Sequence, residues 1–141
     1  MSILKFKAWH KELKKMFPVD GIEWVYETQL NLEPLCIEYI DCFDGNTSYE
    51  FKAKNCELLQ FTGLKDRNGT EIYQGDIVAG KPPHYIEEVK GVVEYGALAF
   101  AFKGKTKNGM VWFDTITNPK VTKACVKVIG NKFENPELLE D

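Results

Sequence analysis

The sequence predicts a mainly β fold: a small barrel-like arrangement of short antiparallel strands, with a short N-terminal hairpin region and at most one or two short helices. Three observations predict it. Apolar and polar residues alternate with period two in several short stretches, beginning with Leu4, Phe6 and Ala8 set against Lys5, Lys7 and Trp9. Turn-forming residues punctuate the chain at intervals of roughly 8–12 residues, the spacing of strands in sandwiches and barrels. Aromatic residues make up 13% of the chain, with nine Phe, six Tyr and three Trp, and large planar side chains pack well on a pleated surface.

The elements follow in order. Residues 3–20 read as a hairpin: a strand to Trp9, a polar turn over His10 to Lys15, and apolar character again over Met16 to Val19. A helix over His10 to Phe17 is the alternative, since Lys, Glu and Leu are good helix formers, and Pro18 would end it. Gly21 opens a second strand, Ile22 to Tyr26. In the next, Leu35 to Phe43, strict alternation places Leu35, Ile37 and Tyr39 on one face and Cys36, Glu38 and Ile40 on the other. Asp44-Gly45-Asn46 is a turn, because Gly and Asn tolerate positive φ, and Tyr49 to Ala53 returns. Leu58 to Thr62 is a strand, Asp66-Arg67-Asn68-Gly69 a turn, and Glu71 to Tyr73 and Gly75 to Val78 a second strand bent at Gly75. Lys81-Pro82-Pro83-His84 is a loop. Tyr85 to Tyr95 and Ala97 to Lys103 are strands around Gly96, Gly104 to Gly109 is a lysine-rich loop or hairpin tip, Val111 to Phe113 is a short strand, and Ala124 to Ile129 is the last. Asn135-Pro136-Glu137 has helix-start chemistry, with Asn135 as cap, and the few remaining residues allow about one turn.

At 141 residues the chain suits one domain over 1–141, in which an N-terminal part (1–56) packs with a barrel part (57–133). A hydrophobic fraction of 44% supplies a core and excludes a disordered chain. The net charge of −3 creates no field toward nucleic acid or anionic membrane. Of 18 basic residues only Arg67 is arginine, the residue that reads phosphate and guanine bidentately. Cys36, Cys42, Cys56 and Cys125 have no CxxC spacing. With no secretory leader and no apolar run near the ~20 residues that cross a bilayer, reduced thiols in the cytoplasm of a bacterial host are expected, and no membrane partner.

Three stretches carry a resemblance. The first is Lys5-Phe6-Lys7-Ala8-Trp9 with Lys15-Met16. The second runs from Gln60-Phe61-Thr62-Gly63-Leu64-Lys65-Asp66-Arg67-Asn68-Gly69 through Glu71-Ile72-Tyr73 and Gly75-Asp76-Ile77-Val78. The third is Val128-Ile129-Gly130-Asn131 with Glu134-Asn135-Pro136-Glu137-Leu138-Leu139. In these the chain resembles the YopX family of phage and prophage proteins from Gram-positive bacteria and their viruses. The resemblance implies a largely β, barrel-like fold and a phage or prophage origin; it implies no established activity and no catalytic residues.

The central motif reads as structural. Its residues Thr62, Gly63, Leu64, Asp66, Asn68, Gly69, Ile72, Tyr73, Gly75 and Asp76 fit a strand, a turn and a bent second strand. Asp66, Glu71 and Asp76 would alternatively offer hard oxygen ligands to a divalent cation, but Asp66 at a turn start suits bonds to backbone amides two residues on. The cysteine spacing does not suit zinc. Ser2 and Ser48 lack an elbow context, neither His10 nor His84 is placed beside a thiol, and Gly91, Gly96, Gly104 and Gly109 fall at strand ends, not before a helix. No cofactor is expected. Lys103, Lys105 and Lys107 beside Trp112 form a candidate nucleic-acid surface, since aromatics with flanking lysines hold single strands by stacking and charge. The competing view makes Phe100 and Phe102 core and the lysines a solvated tip. A non-enzymatic module acting through a protein partner or self-association is thus set against a small-barrel nucleic-acid binder and, third, a carboxylate-based enzyme.

Overall fold

The structure, a computed structural model, describes residues 5–25, 36–81, 88–95, 100–105, 111–115 and 126–139. Its strands are β1 (Phe6–His10), β2 (Lys15–Val25), β3 (Cys36–Phe43), β4 (Ser48–Lys52), β5 (Cys56–Lys65), β6 (Glu71–Tyr73), β7 (Asp76–Gly80), β8 (Val89–Tyr95), β9 (Phe100–Lys105), β10 (Val111–Thr115) and β11 (Val126–Asn131). Short 3-10 turns occur at Ala53–Asn55 and Pro136–Leu139. The fold is mainly β and antiparallel, and no helix among the described residues is long and apolar enough to cross a membrane. The chain divides into two compact units, Lys5–Leu59 and the described residues from Gln60 onward. The division falls inside β5, three residues beyond the boundary at 56 that the sequence suggests.

In the first unit the strand order is β4-β3-β2-β1-β5. The expected N-terminal hairpin forms, with Ala8 opposite Phe17 and Trp9 opposite Met16, so the helical alternative over His10 to Phe17 is not adopted. The His10 carbonyl accepts the Lys14 amide at 2.8 Å, and its Nδ1 accepts the Leu13 amide at 3.1 Å. Strand β2 runs on through Pro18 and Gly21, where the sequence suggests two strands. A register shift between Val19 and Gly21 absorbs the irregularity, as a bulge does. A second shift, between Glu23 and Trp24, leaves Ile37 and Tyr39 as neighbouring partners and skips Glu38. The skipped residue inverts the alternation of β3. Ile37 and Ile40, on opposite faces under strict period two, therefore both pack on the core of Ala8, Phe17, Ile40, Cys42 and Cys56. Phe17 sits against Tyr49 and Phe51 at centroid distances of 5.1 and 4.9 Å, the spacing of tilted aromatic pairs.

In the second unit β6 pairs with the end of β5, and the larger sheet has the order β10-β9-β8-β7-β11. Its described core includes Phe61, Ile72, Tyr73, Ile77, Val78, Val93 and Val126. Gly91 and Gly104 lie within paired strands, opposite one another on β8 and β9, and not at the strand ends the sequence suggests. Among the described residues no pairing joins the outer strands of either order, so the barrel expected from the strand count is not closed. Alternation and turn spacing are local signals, whereas closure requires an edge-to-edge pairing that they do not encode.

Strand β11 ends in a compact turn. Asn131 Oδ1 accepts the amides of Phe133 and Glu134 at 3.1 and 2.8 Å. The Asn135 side-chain oxygen, expected to cap the final turn, accepts the Asn131 amide instead at 3.2 Å. That places it where a Cβ on residue 130 would be: the ideal Cβ of Gly130 falls 2.6 Å from Asn135 Oδ1 and 3.0 Å from its Cβ. Gly130→Ala is therefore expected to lower stability by about 1–2 kcal/mol, by overpacking and the lost hydrogen bond. In an Asn135→Ala background the same change is expected to cost much less, a coupling that urea denaturation of the double-mutant cycle measures.

Candidate functional site

The family-like motif from Phe61 to Val78 places its polar groups one by one on backbone partners. Phe61 lies opposite Tyr73 and Lys65 opposite Glu71, so Thr62, Gly63 and Leu64 together face Ile72. The Thr62 hydroxyl bridges the irregularity, donating to the Ile72 carbonyl at 2.8 Å and accepting the Leu64 amide at 3.2 Å. The chain then turns: the Gly69 amide donates to the Asp66 carbonyl at 3.1 Å and the Asp66 amide to the Thr70 carbonyl at 2.9 Å. Gly69 has φ +81°, a conformation that side-chain-bearing residues rarely adopt. This is the three-residue hairpin loop in which a type I turn is followed by a left-handed glycine. At the second bend the Gln74 amide donates to Gln60, the Gly75 amide to Val93, and the Gly75 carbonyl accepts from Lys132. Asp76 Oδ2 accepts the Tyr73 amide at 2.8 Å.

Asp66 is the centre of this arrangement. It is fully buried, and its Oδ1 accepts the amides of Asn68 and Thr70 at 2.8 and 2.9 Å. Its Oδ2 accepts the amide of Val128 on β11 at 2.8 Å. Burial pushes the carboxyl up, but the three amide bonds, led by that of Val128, and the charge of Lys127 outweigh it, so the group is held below its usual range. The structural reading of Asp66 is therefore the one its geometry supports.

The carboxylates that do converge lie elsewhere. Glu23 on β2, Asp41 on β3 and Glu50 on β4 bring oxygens within 4.8 Å of one another; Asp66, Glu71 and Asp76 are not such a group among the described residues. Asp41 and Glu50 are direct cross-strand partners. Burial, then the neighbouring charges of Asp41 and Glu50, raise the Glu23 carboxyl above its usual range. Beside the cluster is an open hollow of about 460 Å³, bounded by Asp20, Gly21, Asp41, Cys42, Ser48, Tyr49 and Glu50. Glu23, Asp41 and Glu50 are the described carboxylates whose convergence suits a hard cation. Nothing in their spacing along the chain announces them, because only the register of three strands makes them neighbours.

Neither Cys42 nor Cys56 is placed as an exposed nucleophile. Cys42 and Cys56 are free and buried. Burial first, then Cys56, Asp20 and Asp41, push the Cys42 thiol up to about 11, and thiolate is the reactive form. His10 is buried against Phe51 at 4.6 Å with its Nδ1 engaged by a backbone amide. His84 and Cys125 lie outside the described residues.

Of the basic candidates, Lys103 lies in β9, within the strand the sequence predicts, and Lys105, expected in the following loop or tip, is the last residue of the same strand; both are paired on both sides. Trp112 is on β10 opposite Gly104. Lys107 lies outside the described residues.

With this geometry in place, the comparison with known families decides the kinship. A model of the family described as YopX protein matches residues 5–140. The chain belongs to the YopX family. No curated protein matches it. Solved structures that share the fold include two from bacteria. Protein EF1440 from Enterococcus faecalis is 24% identical with a TM-score of 0.57, over 99% of this chain and 100% of that one. Protein yopX from Bacillus subtilis is 17% identical with a TM-score of 0.57, over 96% and 98%. The family resemblance read from the motif thus extends over nearly the whole chain.

For this YopX-family chain, Asp66→Asn retains one acceptor oxygen but presents a donor to a backbone amide. It is expected to cost about 2–3 kcal/mol in urea denaturation, the penalty of a buried donor left unsatisfied. Because the folded-state pKa is depressed, the stability Asp66 contributes is complete above its unfolded value near about 3.9 and is lost as pH falls through the lower folded value. The variant is expected to show a correspondingly shallower loss of stability over that acidic window.

Proposed function

We propose that this YopX-family chain is a phage- or prophage-encoded accessory protein that works in the host cytoplasm through protein contacts and not through catalysis. The observation that carries this reading is the β4 edge of the first unit. Among the described residues β4 is bonded to β3 alone, which leaves one side of its backbone without a neighbouring strand. Such an edge is a template for a further strand. The same unit exposes three large apolar side chains among the described residues, Leu13 at 56% and the aromatic Trp24 at 48% and Phe43 at 45%. Aromatic residues of this kind supply contact area in protein interfaces.

The expected outcome is that the protein self-associates in sedimentation experiments at high concentration, or retains a specific partner from host lysate. A species that stays monomeric at the highest attainable concentration and also retains no partner overturns the reading.

One register observation favours a second reading, binding of single-stranded nucleic acid. Lys105 on β9 lies opposite Lys90 on β8, two residues from Lys103 on the same strand, so lysines of neighbouring strands share one stretch of sheet. Changing Lys103, Lys105 and Lys107 to Glu is expected to abolish salt-dependent binding of a single-stranded oligonucleotide. Binding that survives the triple change excludes this surface.

A further inference from the structure

We infer that the partner taken up by the β4 edge is a second copy of this chain, paired antiparallel to the first about a two-fold axis at Phe51; this rests on the protein-contact reading above. A two-fold axis perpendicular to the sheet keeps the same faces on the same side. It therefore pairs a residue with itself or with residues an even number of positions away. Within Ser48-Tyr49-Glu50-Phe51-Lys52 five centres are then possible, of which Ser48 brings no two charged residues of the strand together. Centring on Glu50 opposes Glu50 to Glu50, and centring on Lys52 opposes Lys52 to Lys52. Like charges directly opposite are destabilising. Centring on Tyr49 pairs Glu50 with Ser48 and leaves every charge uncompensated. Centring on Phe51 alone sets Glu50 of one copy against Lys52 of the other, and does so twice.

The surroundings of Glu50 favour that register. Its carboxylate is one of three whose oxygens lie within 4.8 Å of one another, and burial together with the neighbouring charges of Asp41 and Glu50 raises the Glu23 carboxyl. Among the described residues no cation forms an ion pair with any of the three. In the Phe51-centred pair, Lys52 of the second copy supplies a positive charge directly opposite Glu50, at the edge of this cluster. The opposite face is equally suited. Phe51 is only half-buried, and it packs against Phe17 at 4.9 Å and Tyr49 at 5.4 Å. Two Phe51 rings brought together across the axis would extend this aromatic layer from one copy into the next.

Charge swapping tests the register. The native protein is expected to dimerise in sedimentation equilibrium at low salt. Glu50→Lys and Lys52→Glu are each expected to weaken the dimer by on the order of tenfold or more, because each opposes two like-charge pairs. Mixing the two variants is expected to restore association as a heterodimer, since one copy then offers Lys at 50 and 52 and the other Glu at both. Both positions are exposed, and Glu50→Lys relieves repulsion within the monomer, so both variants are expected to fold; circular dichroism melting checks this. A dimer unaffected by either variant, or variants that fail to recover on mixing, overturns the inference. A native protein that remains monomeric but holds a different protein at this edge overturns it too and leaves the protein-contact reading standing. A monomer with no partner at all overturns both.

Discussion

The hydrogen bonds accepted by the Asp66 carboxylate are the constraint on which the second unit most depends. One oxygen closes the Asp66–Thr70 turn through the amides of Asn68 and Thr70. The other reaches a residue 62 positions away, the Val128 amide on β11. A local turn and a distant strand are thus held by the same buried ion. Burying a carboxylate is costly unless its lone pairs are filled, and here backbone amides from two parts of the chain fill them. The Arg67 amide, bonded to the Val126 carbonyl at 2.9 Å, adds a parallel tie. With Gly75 linked to both Val93 and Lys132, the motif acts as a brace between β6, β7, β8 and β11.

Three carboxylates of the first unit are placed in the opposite way. Glu23, Asp41 and Glu50 converge on a surface of three neighbouring strands, with no backbone amide or basic side chain filling them among the described residues. A buried, saturated carboxylate has little left to offer a ligand, whereas a clustered, exposed set retains free acceptor capacity and an unfavourable self-energy. The contrast leaves free carboxylate acceptors in the first unit, outside the segment that carries the strongest family signature.

Several features were legible because they depend on neighbours in sequence. The β1–β2 hairpin, the Asp44-Gly45-Asn46 turn and the Asp66–Gly69 turn all follow from residues a few positions apart, and each appears where its turn chemistry places it. Gly45 has φ +93° and Asp44 Oδ1 accepts the amides of Asn46 and Thr47. Features that depend on register were not legible. The skipped Glu38 inverts the face on which β3 buries its side chains, Gly91 of β8 pairs with Gly104 of β9, and Asn135 turns back to Asn131 where its identity suggests a helix cap.

The sequence by itself determined the β class, the positions of the principal turns and membership of the YopX family, because alternation, turn chemistry and fixed motif spacing are properties of short stretches of chain. The tertiary structure decided which carboxylate is buried and saturated, which three are gathered at the surface, and which strands, among the described residues, are left with one neighbour. Those outcomes depend on hydrogen-bond register between strands, and one residue added or skipped in a strand reassigns every side chain beyond it to the other face.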